Sequence, residues 1–103
     1  MIKYWYENGR YAPLLLCDTC GKRIENSGMG AAVHANGREE GEYLDVLHVH
    51  KGQCHDKAEA DLGGTSSVGW EELNVHLLHL THNAGFTLEQ AKELRELRDE
   101  LEL

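Results

Sequence analysis

Two short motifs, Cys17-Asp18-Thr19-Cys20-Gly21-Lys22 and His50-Lys51-Gly52-Gln53-Cys54, constrain this chain more than anything else in it. Two thiolates separated by two residues can grip one ion from a tight turn whose N–H groups point at the sulfurs, and the glycine after the second cysteine lets the chain turn away. His50 and Cys54, four positions apart, can add two ligands where a strand ends and a helix begins. The pattern predicts a tetrahedral Zn2+ site of Cys17, Cys20, His50 and Cys54. Protein fills all four positions, so the expected role is structural. His48 and His55 compete for the histidine position; His50 is preferred as the last strand residue before the turn, with His48 on the same strand face and His55 as a neighbour.

Other uses of the cysteines fit less well. Three is an odd number, and Met1-Ile2-Lys3-Tyr4 lacks the apolar run of a secretory signal, so the expectation is a cytoplasmic protein with reduced thiols rather than a disulfide framework. A catalytic Cys54 paired with His55 would leave the Cys-x2-Cys pair without a purpose. With 103 residues and one Phe among seven aromatics, the chain has a modest core that a bound metal would supplement. Lys plus Arg is 10 against 18 for Asp plus Glu, a net charge of −8. That balance disfavours binding to a nucleic-acid backbone and supplies no basic patch for an anionic membrane. The partners expected are proteins.

Segments 2–6 and 11–16 read as strands joined by Glu7-Asn8-Gly9-Arg10, whose Asn-Gly pair signals a hairpin turn. A second pair, 30–35 and 42–50, is joined by the polar, glycine-bearing stretch 36–41 and delivers His50. Residues 54–62 have the composition of a short helix, stopped by Gly63-Gly64, with Cys54 in its first turn.

A Cys-x2-Cys-Gly knuckle, a β-hairpin and ligands at a strand-to-helix junction resemble, in that order, the treble-clef class of zinc fingers, over residues 14 to 62. The resemblance implies a fold and a zinc ion. It does not select among adaptors, nucleic-acid binders and nucleases. Cys54-His55-Asp56-Lys57 also resembles the Cys-His-x-Lys stretch of HNH endonucleases, which would cast His34 as the base and His55 as a holder of catalytic metal. The chain departs from that pattern: the usual Asp-His pair is missing, the second zinc pair is not Cys-x2-Cys, and no Asn sits in the loop before the helix.

After the Gly/Ser-rich link 63–69, Trp70, Leu73, Leu77, Leu80 and Ala84 recur at intervals of three and four, which predicts a helix ending at Gly85. Thr87 with Gln90 forms a capping box for a second helix with the stripe Leu88, Ala91, Leu94, Leu97 and Leu101. The turn Gly85-Phe86-Thr87-Leu88-Glu89-Gln90 resembles one found in MerR-type regulators, but residues 70–103 carry three basic side chains against eight acidic ones, the wrong balance for DNA recognition. His76, His79 and His82, spaced by three, lie opposite the Leu77 stripe. With Glu72 they could share a second ion, although a solvated polar face is the simpler reading. The aromatic residues Tyr4, Trp5, Tyr6 and Tyr11 can cover a core or face a partner.

The fold expected is therefore α+β: one domain over 1–103, with a zinc-bound, treble-clef-like module (1–62), a link (63–69) and a two-helix hairpin (70–103). The function expected is that of a zinc-stabilised interaction or regulatory module, with the terminal helices a surface for homo-oligomers. A metal-dependent enzyme and a nucleic-acid-binding finger are the alternatives.

Overall fold

A computed structural model describes residues 1–100. Two small sheets and three helices form an α+β arrangement. Strands β1 (Ile2–Glu7) and β2 (Arg10–Leu15) pair in register from Ile2↔Leu15 to Glu7↔Arg10. Their two-residue turn has positive φ at both Asn8 (52°) and Gly9 (76°), the geometry whose twist matches antiparallel strands. All of β1 is exposed, and Tyr6 and Tyr11 touch across the ribbon with ring centroids 4.8 Å apart.

The second sheet has the order β4-β3-β5, all antiparallel, with β3 (Gly30–Ala35) between β4 (Leu47–His50) and β5 (Val68–Glu72). The sequence of β3, Gly-Ala-Ala-Val-His-Ala, explains its central place: small side chains let helices approach both faces. Helix α1 (Gln53–Asp61) covers the face bearing Val33 and Trp70, where His55 meets Trp70 edge-on at 4.8 Å. Helix α2 (Leu73–Asn83) covers the other face, on which His48, Ala32 and Glu71 lie side by side across the three strands. A Cβ on Gly30 would lie 2.6 Å from Leu73 Cδ2, so the start of α2 sits almost on the backbone of β3. Cys17, Ile24, Ala31, Val33, Val49, Ala58 and Leu73 form the buried core.

Two expectations need correction. Trp70 belongs to a strand, because residues 68–72 pair with β3 and the helix begins at Leu73. The return strand of the second hairpin is only Leu47–His50, since residues 42–46 find no partner strand. Helix α3 (Leu88–Glu100) has the predicted cap, with Gln90 N–H donating to Thr87 Oγ1 (3.1 Å) and Thr87 N–H to Gln90 Oε1 (2.8 Å). It packs extensively on no other described element, and Leu88, Leu94 and Leu97 are exposed. Leu101, the last position of its stripe, lies outside the described residues. The protruding ribbon and α3 bring the Cα radius of gyration to 16.1 Å, against about 13 Å for a compact domain of this length.

Candidate metal centre

Strand β2 runs directly into the knuckle. Leu16 bridges Arg23, the Cys17 N–H donates to the Lys22 carbonyl (2.8 Å), and the Gly21 N–H donates back to the Cys17 carbonyl (2.8 Å). Gly21 sits at φ 77°, where a side chain would be strained. The knuckle is fastened to β4 by a reciprocal pair: the Asp18 N–H donates to the His48 carbonyl (2.8 Å), and the His48 N–H donates to Asp18 Oδ2 (2.8 Å). Thr19 Oγ1 donates to the Cys54 carbonyl (3.1 Å) and ties the knuckle to α1 as well.

These ties bring together Cys17, Cys20, His50 and Cys54, whose ligand atoms all lie within 4.8 Å of one another. Cys20 Sγ and His50 Nδ1 are 3.5 Å apart. A tetrahedral zinc with ordinary Zn–S and Zn–N bonds sets that edge at about 3.5 Å, so the donor set fits such an ion. The far nitrogen of His50, Nε2, is 3.1 Å from the Arg23 carbonyl, which can only accept. That contact places the proton on Nε2 and turns the lone pair of Nδ1 toward the sulfurs, the orienting arrangement common around metal-bound histidines.

Electrostatics at the sulfurs also favours a cation. Burial opposes ionisation of Cys17, but the N–H groups of Cys20, His50 and Thr19, with the His50 ring, outweigh it and hold the thiol down at about 6. Burial pushes the Cys54 thiol up to about 11, helped by hydrogen bonds to Cys17 and Cys20 and by their negative charge. The Cys54 sulfur resists a negative charge beside the other two, and a dication among them would remove that resistance. All three cysteines are free of disulfides.

The competing histidines are engaged elsewhere. His55 Nε2 lies 3.1 Å from Glu59 Oε1 and its ring rests on Trp70. His48 turns to α2, its Nε2 3.2 Å from His76 Nε2. His34 and His55 are not brought together. The His34 ring lies where a Cβ of Gly69 would be, 2.7 Å away at Cε1, whereas His55 rests on Trp70, which faces the opposite side of the sheet.

The suggested cluster of Glu72, His76, His79 and His82 does not form either. Glu72 is on the α1 face, paired with Lys51. It is Glu71 that holds the helix histidines, with Oε1 3.3 Å from His76 Nδ1 and Oε2 2.9 Å from His79 Nδ1. Once β5 is seen as a strand, alternation separates these two glutamates onto opposite faces; read as helix, the segment gave no such signal. No protein-family model matches the chain, and comparison with curated proteins and with solved structures found no match. Among the described residues no helix is long and apolar enough to cross a membrane.

Proposed function

We propose that the chain is a small protein-interaction module held in shape by one structural Zn2+ on Cys17, Cys20, His50 and Cys54, in a treble-clef-like setting. The convergence of those four ligand atoms to within 4.8 Å carries this reading. Four protein ligands leave no open coordination position, so the ion stabilises rather than catalyses. The order of knuckle, β3–β4 hairpin and a cysteine early in α1 supports the treble-clef comparison.

The interaction role rests on apolar surface held away from the core. Tyr4, Trp5, Tyr6 and Tyr11 on the β1–β2 ribbon are each more than half exposed, and Phe86, Leu94 and Leu97 share a shallow groove along α3. A regulatory protein partner suits such surfaces, as does self-association through the helical segment 70–103. The net charge of −8 disfavours a nucleic-acid partner. The HNH-like alternative loses its motivation, because its two histidines face opposite sides of the sheet.

Elemental analysis of protein purified without chelator or affinity-tag metal tests the reading. One zinc per chain is expected, retained through mild dialysis, lost in His50→Ala and kept in His55→Ala. Zinc-free protein that folds normally, or His55→Ala as the metal-losing variant, would overturn it. Light scattering across a concentration series separates a self-associating chain from one that awaits a different partner.

A further inference from the structure

The face of the sheet beneath α2 is unusually polar for an interface between a sheet and a helix. His48, Glu71 and His76 meet there, all partly buried, and a cleft of about 230 Å³ opens beside them between Ala32, His34, Leu44, Val46, Glu71 and His76. The zinc tetrad uses none of these groups.

The hydrogen bonds fix which nitrogens carry lone pairs. An ionised carboxylate can only accept, so the contacts of Glu71 to His76 and His79 place a proton on Nδ1 of both rings. The lone pair of His76 is then on Nε2, which faces His48 Nε2 at 3.2 Å. The two rings meet by their edges, with centroids 5.2 Å apart and planes inclined by 55°. Two imidazoles bound through Nε2 at ordinary Zn–N lengths to one tetrahedral ion have nitrogens about 3.3 Å and centroids about 5.2 Å apart. The observed pair matches both separations. The same distance suits an N–H···N hydrogen bond, so the pair can pass between the two states with little movement. His34 Nδ1 donates to the Ala35 carbonyl (2.8 Å), which leaves its Nε2 as the lone-pair nitrogen on a wall of the same cleft.

We propose that His48 and His76 form a second metal site, for an exchangeable divalent transition ion of the kind that imidazole favours. Nε2 of each ring is a ligand, Glu71 is a positioning residue behind His76, and the cleft provides the open coordination positions. When the ion enters, the proton between the two Nε2 atoms is released to solvent, and the Met1 ammonium, 3.4 Å from His48 Nδ1, hands a proton to that nitrogen, so that His48 takes its Nδ1–H form and the amine accepts from it. The carboxylate behind His76 raises the basicity of the ligand and fixes its tautomer. Two protein ligands with open positions hold an ion more loosely than the closed tetrad does, so this ion exchanges. The site is independent of any partner for the ribbon or for α3.

The test is titration of Zn2+ into the zinc-loaded 103-residue protein, followed by calorimetry and by long-range proton–nitrogen spectra of the histidines. One further ion per chain is expected, with the Nε2 signals of His48 and His76 moving together while His76 Nδ1 keeps its proton. Replacing the ligand, His76→Ala, should weaken the second ion at least about tenfold, and Glu71→Gln should weaken it about 10- to 100-fold. His82→Ala should change nothing. Retention of the first zinc should be the same in all three variants. A second ion that survives His76→Ala unweakened, or Nε2 signals that stay fixed up to about 1 mM zinc, where affinity would be only about 4 kcal/mol, would overturn the assignment. Because the spectra are read on the unaltered protein, they decide the matter even if His76→Ala fails to fold.

Discussion

Stripping the proposed zinc from the Cys3His centre should cost this protein a large part of its stability, and the structure bounds the amount from below. Cys20 and His50 are 30 positions apart, so an ion between them closes a long loop in the chain. Treated as a cross-link that constrains the unfolded ensemble, a 30-residue closure is worth about 3.5 kcal/mol at room temperature. Contacts of the ion with the other two sulfurs add to that figure, and total stability for a domain is only about 5–15 kcal/mol. At about 4–8 °C per kcal/mol for a chain of this size, the thermal midpoint should fall by about 15–30 °C. The assay is thermal unfolding followed by circular dichroism, before and after EDTA, with metal content measured on the same samples and zinc added back to restore the midpoint. Cys54→Ser should start near the EDTA-treated midpoint and respond little to chelator. A midpoint that stays within about 3 °C after the metal has demonstrably left would refute the cross-link reasoning, because so long a loop cannot be freed at so small a cost.

Three further outcomes follow from other parts of the structure. Gly30→Ala should destabilise by about 1–3 kcal/mol through overpacking, since the added Cβ would meet Leu73 Cδ2 at 2.6 Å in the core; a neutral result in urea unfolding would show that α2 can give way. Thr87→Ala should remove the capping box and cost α3 about 1 kcal/mol, read as lost amide protection over the first turn of that helix, with the sheet unaffected. Zinc affinity should depend more steeply on pH below about 6. Cys17 has a depressed thiol, so its thiolate is ready for the ion above that value and must be deprotonated at the ion's expense below it; competition titrations from pH 5 to 8 should show one additional proton released per ion on the acid side.

Local chemistry was legible in the sequence where neighbouring residues decide it. The Asn8-Gly9 turn, the glycine-closed knuckle, the short helix after His50 and the Thr87–Gln90 cap each rest on a few adjacent positions, and each occurs as read. The convergence of Cys17, Cys20, His50 and Cys54 followed from ligand spacing, which already implies that the two halves meet. What the pattern could not reveal was β5. Trp70, Leu73 and Leu77 fall at helical intervals, yet pairing with β3 across more than thirty residues overrides that local preference. Missing the strand also hid the parity of Glu71 and Glu72, and with it the carboxylate that holds His76. The apolar stripe of α3 was visible, but periodicity identifies a face without saying what covers it.

The position of β3 between β4 and β5 also has a consequence for the order in which a ribosome can build the molecule. All four residues of the cysteine–histidine tetrad, and the β3–β4 hairpin, leave the exit tunnel before β5 and α2 do. During that interval one edge of β3 is unpaired and the face carrying Gly30 and Ala32 is uncovered, the condition in which a nascent sheet is most open to wrong pairing. The proposed zinc, captured by the tetrad at this stage, would pin β4 to the knuckle and hold the half-built sheet in register. The last strand and its following helix then arrive on a prepared template, and the histidine pair under α2 is the final part of the interior to be assembled.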